Sequence, residues 1–255
     1  MLKTYREDYL LRTKDCDING EWRFSSILEA LQETAGGHCD RMGCGRNDLR
    51  KKGITWVLIR SEVQMERYPT IEDRVSIETF HKATRHRLFP RYFIIRDEEN
   101  KIIGKASTLW ALMDLNTRQT VASDPVSSLM PDNSDLKAPL PLPGSIEPLP
   151  SAYQVDKHYQ PLYTDLDANG HMNNARYADL LCNLLGTETL RKIRIQSMTL
   201  NYNAEILPDQ EIYLVLQMNR LKCRLVGICA MKITFEIGCT LLPRGCTEGE
   251  LNDEE

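Results

Sequence analysis

Three chemically capable side chains occupy alternate residues in one short segment of the chain. In TDLDANGHMNNARYADLL, residues 164–181, Asp167, Asn169 and His171 alternate around Gly170 and precede an amphipathic stretch. Residues at i, i+2 and i+4 of an extended or looped segment point to the same side. A carboxylate, an amide and an imidazole on one side can hold a water molecule and remove its proton. The pattern predicts a catalytic cluster at the entrance to a helix.

Backbone groups of the same segment can serve a developing negative charge. The first N–H groups of a helix lack partners within the helix, and its dipole favours an anion there. Gly170 has no Cβ and lets the backbone approach a substrate closely. We therefore predict the backbone at Gly170 and Met172 as the site of an oxyanion.

An earlier stretch, KDCDINGEWRFSSILEAL at residues 14–31, repeats the pattern. With an offset of 150, Asp15, Asp17, Asn19 and Gly20 fall on Asp165, Asp167, Asn169 and Gly170. Glu21 stands where His171 stands in the second copy. Because Asp, Asn and Gly favour turns and caps, turn structure alone would explain the shared residues. A calcium loop is disfavoured, since Arg176 occupies the place of its final glutamate.

Each motif leads into a helical pattern and then into strands. After the second motif the helical spacing is kept by Tyr177, Leu180, Leu181, Leu184 and Leu185. Asn173 or Asn174 is predicted to cap this helix and Gly186 to end it, while Gly36-Gly37 is predicted to end the first-half helix. Alternating apolar residues over 54–80 and 194–218 predict strands joined by short turns.

This organisation predicts an α+β fold made of two tandem copies. In each copy an antiparallel sheet curls around a long central α-helix. Seven of the twelve prolines lie between residues 125 and 150, which predicts an extended linker. The predicted parts are an N-terminal domain 1–122, a Pro-rich linker 123–152, a C-terminal domain 153–243 and an acidic, disordered tail 244–255.

Composition narrows the function classes. A net charge of -4 argues against a nucleic-acid binder that relies on overall positive charge. The N-terminus has no apolar signal region, and no apolar run approaches the ~18 residues of a membrane span. The eight cysteines contain no C-x-x-C pair, which predicts buried, reduced thiols and no metal site. We expect a soluble, cytoplasmic protein.

The motif at residues 164–181 resembles the signature of hotdog-fold thioesterases, most closely the acyl-acyl carrier protein (ACP) thioesterases of plants and bacteria. Two further stretches are similar to that family: WVLIRSEVQMERYPTIEDRV, residues 56–75, and SMTLNYNAEILPDQ, residues 197–210. The resemblance implies two tandem hotdog domains, with chemistry in the second and much of the acyl-chain pocket in the first. It also implies hydrolysis of fatty acyl-ACP to free fatty acid, which terminates fatty acid synthesis, without a cofactor.

Carried over residue by residue, the family's polar network falls on Asp167, Asn169, His171 and Glu205. Glu205 is the expected general base, Asn169 orients substrate or water, and Asp167 either fixes the network or attacks the carbonyl to give an anhydride. Ile206 stands where many plant members have a cysteine, which excludes a cysteine nucleophile at this position. In the first half Pro69 aligns with Glu205, so both proposed catalytic groups are absent there.

The implied partner is the acidic acyl carrier protein, which a basic surface would bind. Residues 81–96 hold five Lys or Arg and no acid until Asp97, and Arg85, Arg87 and Arg91 are the candidate docking residues, with Arg85 and Arg87 on one strand face. A solvated strand face is the alternative. No contact with nucleic acid or insertion into a membrane is expected. Two fused copies would exist as a monomer or as a homodimer.

The sequence is also compatible with other functions. The same fold serves acyl-CoA thioesters, so an acyl-CoA thioesterase is the nearest alternative. A hotdog dehydratase would need a different His and acid pattern. A non-catalytic acyl-binding module is a third class, because fold does not settle function.

Overall fold

The computed structural model describes residues 2–122, 124–149 and 153–245. The chain divides into two compact units, Met1–Pro143 and Gly144–Glu255. The predicted acidic tail lies outside the described residues except for Arg244 and Gly245, which follow the last strand.

In the described residues the N-terminal unit contains five strands and three α-helices. The strands are β1 (Tyr5–Leu10), β2 (Ile54–Met65), β3 (Arg74–His81), β4 (Leu88–Asp97) and β5 (Ile102–Asp114). The helices are α1 (Phe24–Arg41), α2 (Arg46–Lys51) and α3 (Asp124–Ser127). The strand order is β1-β3-β4-β5-β2, and every neighbouring pair is antiparallel.

The C-terminal unit repeats this topology. Its elements are β6 (Tyr153–Tyr159), α4 (Arg176–Leu185), α5 (Thr187–Lys192), β7 (Ile193–Tyr202), β8 (Ile212–Asn219), β9 (Lys222–Cys229) and β10 (Lys232–Pro243). The strand order β6-β8-β9-β10-β7 matches that of the first unit element by element. The predicted repeat of one helical segment followed by antiparallel strands is therefore confirmed, while β1 and β6 were not anticipated.

Helix α1 is longer than its sequence pattern predicts. It continues through Gly36 and Gly37 to Arg41, so the predicted end at the glycines is wrong. A Cβ on Gly37 would lie 3.0 Å from the ring of Tyr5, so this glycine allows the close approach of β1. The buried face of α1 contains apolar residues that include Ile27, Leu28 and Leu31.

The helical segment of the C-terminal unit is short. Helix α4 has 10 residues and ends at Gly186, whose φ of 81° is favourable for glycine. The predicted end is confirmed, and α5 begins directly after Gly186 at Thr187. The predicted cap is indirect: Asn173 Oδ1 accepts the N–H of Ala175 at 2.9 Å, one turn before the helix.

Part of the predicted linker packs onto the N-terminal unit. Residues up to Pro143 belong to that unit, and Val126 is completely buried. Asn133 is 2% exposed and its Nδ2 donates to the carbonyls of Lys3 and His81 at 2.9 and 3.0 Å. The expectation of a segment that runs only over the surface is wrong for these residues, because their apolar and amide groups find partners on the sheet.

Candidate active site

Asp167 holds the turn that carries the predicted cluster. Its Oδ1 accepts the N–H groups of Asn169 and His171 at 2.7 and 3.3 Å, and its Oδ2 accepts Asn169 Nδ2 at 3.0 Å. The N–H of Asp167 donates in return to the carbonyl of His171 at 2.8 Å. Gly170 has φ 80°, a conformation that glycine adopts without steric cost. Asp167 is thus bonded to the loop from both of its carboxylate oxygens.

The N-terminal unit builds the same turn. Asp17 Oδ1 accepts the N–H groups of Asn19 and Glu21 at 2.8 and 3.2 Å, and Oδ2 accepts Asn19 Nδ2 at 3.1 Å. Gly20 has φ 74°. The shared Asp, Asn and Gly therefore encode turn geometry in both copies, and the chemistry that distinguishes the copies depends on the other residues.

Two links fasten the turn within the C-terminal unit. The N–H of Met172 donates to the carbonyl of Ile206 at 2.9 Å, and that of Asn173 donates to the carbonyl of Asp165 at 2.7 Å. Asp165 Oδ2 accepts the N–H of Leu162 at 2.6 Å and the hydroxyl of Tyr159. Ile206 is completely buried, which anchors the segment after β7 against the turn.

This anchoring brings His171 and Glu205 together. The distance between His171 Nε2 and Glu205 Oε2 is 3.5 Å. The side chains are 22% and 38% exposed, so both reach solvent from a partly sheltered position. A carboxylate at this distance can share a water molecule with the imidazole, as a general base requires. Glu205, His171, Asn169 and Asp167 are therefore neighbours, as the sequence predicted.

The predicted backbone donors are already in use. The N–H of Gly170 donates to the carbonyl of Asp167 at 3.0 Å, and that of Met172 is bound to Ile206. Helix α4 begins only at Arg176, so the motif does not lead directly into a helix N-terminus. The prediction of an oxyanion site at Gly170 and Met172 is wrong, because turn closure and the link to Ile206 take both groups.

The alignment of Pro69 with Glu205 is wrong by one residue. In the N-terminal unit the N–H of Trp22 donates to the carbonyl of Pro69 at 2.9 Å, which is the counterpart of the Met172 bond to Ile206. Pro69 therefore corresponds to Ile206, and Tyr68 corresponds to Glu205. The N-terminal unit still lacks a carboxylate at the position of Glu205, because that position is Tyr68.

Two tyrosines that the sequence reasoning missed support the site. The Tyr202 hydroxyl donates to the carbonyl of Asn174 at 3.1 Å, and its ring meets Tyr177 edge-on at 5.4 Å between centroids. Burial raises the pKa of Tyr177, which keeps this residue neutral. Tyr159 binds Asp165. The sequence signal for these residues was a tyrosine at the end of a strand, Tyr202 in NYN and Tyr159 in KHY.

The predicted docking residues separate in the structure. Arg85 and Arg87 are exposed, but they lie in the connection between β3 and β4, where His86 has φ 57°, and not on a strand face. Arg91 is 1% exposed and buried in β4, so its assignment to a docking surface is wrong. Arg91 stands in a continuous apolar run, with LFP before it and YFII after it, which is typical of a strand buried on both faces.

Among the residues that the structure describes, no group of three or more His, Cys, Asp or Glu side chains is placed to hold a metal ion. In the same ranges no helix combines the length and the apolar character that a bilayer span needs.

Comparison with known proteins then identifies the family. Models of the acyl-ACP thioesterase N-terminal domain and C-terminal domain match residues 2–126 and 150–238. The chain belongs to the acyl-ACP thioesterase family. The resemblance inferred from the sequence motifs is thereby confirmed, and the Asp167–Glu205 site lies in the part that matches the family's C-terminal domain.

Relatives in this family are similar at low identity. The chloroplastic oleoyl-acyl carrier protein thioesterase of Coriandrum sativum is 27% identical over 225 residues, which cover 82% of this chain and 61% of that protein. Acyl-[acyl-carrier-protein] hydrolase FATB2 of Cuphea viscosissima is 26% identical over 214 residues, covering 79% and 52%. The chain thus spans between about half and three fifths of the length of these relatives.

Solved structures of the family share the fold. An acyl-ACP thioesterase from Bacteroides thetaiotaomicron superposes with a TM-score of 0.83 at 22% identity, over 94% of this chain and 98% of that one. The 12:0-ACP thioesterase of Umbellularia californica gives 0.79 at 21% identity, with the same coverage. The predicted α+β hotdog fold is therefore confirmed.

Proposed function

We propose that this chain hydrolyses the thioester of fatty acyl-ACP and releases free fatty acid, the step that terminates fatty acid synthesis. The observation that carries the proposal is the 3.5 Å approach of His171 and Glu205 in the C-terminal unit. At the same places the N-terminal unit has Glu21 and Tyr68, which offer no imidazole-carboxylate pair. Membership of the acyl-ACP thioesterase family supports this choice of substrate.

In the proposed reaction Glu205 takes a proton from a water molecule whose oxygen attacks the thioester carbonyl. His171 binds the same water and orients it, while Asn169, whose amide donates to Asp167, helps to hold the turn that carries His171. Collapse of the tetrahedral intermediate expels the thiolate, which needs little acid assistance because a thiol has a pKa of roughly 8.5. A positioned base of this kind contributes about 10²–10⁴-fold.

Asp167 is a positioning residue in this mechanism. Both of its oxygens accept hydrogen bonds within the turn, and Asp17 accepts the same set in the unit that lacks the His-Glu pair. Attack by Asp167 on the carbonyl would require the turn to open. We therefore assign the decisive carboxylate to Glu205.

The proposed partner is the acidic carrier protein. Arg85 and Arg87 are exposed in the connection between β3 and β4, and Arg87 Nη1 also donates to the carbonyl of Thr120 at 3.2 Å, which orders it. We propose that these two arginines contact the carrier. We also propose a cytoplasmic location and a monomer or homodimer, which gel filtration with light scattering distinguishes.

Product analysis tests the activity. The purified chain is incubated with acyl-ACPs of several chain lengths and with the matching acyl-CoAs, and free fatty acid is quantified. We expect release from acyl-ACP at a higher kcat/KM than from acyl-CoA, and loss of release in Glu205→Gln and His171→Ala. A higher kcat/KM for acyl-CoA would establish the acyl-CoA alternative. Acyl binding without any turnover would establish a binding module.

A further inference from the structure

Arg91 is a buried cation without a carboxylate. Its residue surface is 1% exposed, and in the described residues no Asp or Glu lies within ion-pair distance of its guanidinium. Its Nη1 donates to Thr79 Oγ1 at 3.1 Å and its Nη2 to Cys39 Sγ at 3.2 Å. A guanidinium stays protonated in proteins, and an unpaired buried charge is costly. The local charge therefore has to be balanced by another group.

The two imidazoles beside Arg91 cannot supply that balance. Arg91 Nη1 donates to His38 Nδ1 at 3.1 Å, and Nη2 donates to His81 Nε2. His38 Nε2 donates in turn to the carbonyl of Leu2 at 3.1 Å, which defines a neutral ring. Burial, followed by the charge of Arg91, lowers the pKa of His38 to about 4 and that of His81 further below its usual range. Both rings are neutral acceptors.

The end of α1 places a second thiol against Cys39. The N–H of Gly43 donates to the carbonyl of Asp40 at 3.1 Å, and that of Cys44 to the carbonyl of Cys39 at 3.0 Å. With Gly43 at φ 74°, this is a Schellman motif, which sets the side chains of its first and last residues side by side. Here those residues are cysteines, and both lie in one cluster of buried side chains.

We propose that Cys39 and Cys44 form a dithiol that hydroperoxides oxidise, in which the Cys39 thiolate balances the buried charge of Arg91. Cys39 Sγ accepts a hydrogen bond from Arg91 Nη2 at 3.2 Å, and the Schellman motif places the Cys44 thiol beside it as a second donor. The neighbouring Cys44 thiol lowers the pKa of Cys39 most, burial raises it, and Arg91 lowers it again. The resulting pKa is about 7. The carboxylate of Asp40 raises the pKa of Cys39, and the carboxylate of Asp48 raises the pKa of Cys44.

The chemistry balances with a hydroperoxide as oxidant. The Cys39 thiolate attacks one peroxide oxygen, the O–O bond breaks, and the products are a sulfenic acid on Cys39 and, after protonation, an alcohol or water. Cys44 then gives its proton to the leaving hydroxide and attacks the Cys39 sulfur, which forms the disulfide and releases water. The two thiols lose two electrons, and the peroxide gains them. Cys39 is 7% exposed and Cys44 is not exposed, so the first attack falls to Cys39.

Oxidation has a structural consequence. A disulfide sulfur carries no negative charge, so the guanidinium of Arg91 would remain in the core without its counter-ion. We expect the oxidised chain to unfold at a lower temperature than the reduced chain, and dithiothreitol to restore the original Tm.

The C-terminal unit contains a matched control pair. Cys223 and Cys239 face each other across β9 and β10 and are 2% and 6% exposed. Burial, with the neighbouring Cys223, raises the pKa of Cys239, so Cys239 is a neutral thiol. An arginine donates to Cys39, whereas Arg224, the residue after Cys223, donates to Gln217 and Glu236.

The experiment treats the full chain with graded hydrogen peroxide, alkylates the remaining thiols and quantifies each cysteine by peptide mass spectrometry. We expect a Cys39–Cys44 disulfide at doses that leave Cys223 and Cys239 reduced, together with a fall in Tm. Oxidation of the two pairs at equal doses, or of Cys223–Cys239 first, would overturn the proposal. So would a disulfide that leaves Tm unchanged.

A second measurement reports the thiolate directly. The absorbance at 240 nm, followed from pH 5 to 9, should rise in the untreated chain with a midpoint near pH 7 that is absent in Cys39→Ser. In Cys44→Ser the midpoint should move to higher pH. A chain without any rise below pH 8 would contradict the thiolate assignment.

Discussion

His171 and Glu205 lie on separate segments of the C-terminal unit, yet His171 Nε2 and Glu205 Oε2 are 3.5 Å apart. The residues that follow them, Met172 and Ile206, are joined by a backbone hydrogen bond, which sets this separation. The same backbone bond joins Trp22 and Pro69 in the N-terminal unit, where Glu21 and Tyr68 occupy the positions of His171 and Glu205. One scaffold therefore carries two different side-chain pairs, so Glu21 and Asp17 of the N-terminal unit are matched controls for Glu205 and Asp167.

Removal of the proposed base should stop turnover without unfolding the chain. For Glu205→Gln we expect kcat on acyl-ACP to fall by about 10²–10⁴-fold. The side chain is 38% exposed, and surface substitutions usually change the free energy of unfolding by less than about 0.5 kcal/mol. Steady-state kinetics and thermal unfolding check both statements. Glu21→Gln is the control and should keep full activity.

Asp167 should act through the turn. Asp167→Ala removes three hydrogen bonds, and we expect a loss of about 1–2 kcal/mol of stability together with a large fall in kcat. Asp17→Ala removes the same three bonds in the other unit and should cost similar stability with kcat retained. Equal kinetic effects of the two substitutions would argue that the turn supports the whole fold rather than the site.

Adjacent glycines in α1 should respond differently to alanine. At Gly36 nothing lies within 4 Å of an added Cβ, so Gly36→Ala should stabilise the helix by about 0.5–1 kcal/mol. At Gly37 the added Cβ meets the Tyr5 ring at 3.0 Å, and the gain should be lost. Thermal unfolding of both variants should rank Gly36→Ala as the more stable. The reverse order would contradict the packing of β1 on α1.

The N-terminal unit should lose stability in mild acid. The pKa of His38 is lowered from 6.5 to about 4 by burial and by Arg91. Between these values the unfolded chain binds a proton that the folded chain does not, so the free energy of unfolding falls as the pH is lowered from 6.5 to 4. The full effect is on the order of 3 kcal/mol.

Denaturant unfolding at several pH values measures this slope. His38→Asn keeps an acceptor for Arg91 and removes the titrating ring, so its stability should depend less on pH in the same interval. An unchanged slope would assign the acid sensitivity to other groups.

Carrier docking should depend on salt. If Arg85 and Arg87 contact the acidic carrier, added salt should lower kcat/KM for acyl-ACP more than for acyl-CoA, because exposed charges are screened over a Debye length of about 8–10 Å. Replacement of both arginines by Glu should raise KM for acyl-ACP only. An equal salt dependence of kcat/KM for acyl-ACP and acyl-CoA would exclude Arg85 and Arg87 as the carrier-binding surface. Substitution of the exposed Lys51 and Lys52 is the control for a change in net charge.

Local sequence was a reliable guide where short-range physics decides the structure. The turn that contains Asp167, Asn169 and Gly170 was predicted because a carboxylate, an amide and a glycine satisfy a tight turn by themselves. The strand periodicity and the helix end at Gly186 followed for the same reason. The errors arose where a distant partner decides: Gly37 continues a helix because Tyr5 packs on it, and Arg91 is buried because two histidines and a thiol surround it.

The sequence by itself determined that the chain contains two copies of one helix-and-sheet unit, that only the second copy has His171 and Glu205, and that the family is one of thioester hydrolases. The repeat and the unequal side-chain pairs are visible in residue types and spacing, whereas the family is implied by the resemblance of the motifs to known thioesterases. Only the tertiary structure decided that the N–H groups of Gly170 and Met172 are bound within the unit and that Tyr68, not Pro69, is the counterpart of Glu205. Pairing between remote backbone segments sets those relations, and a one-residue shift in such pairing leaves no trace in the linear sequence.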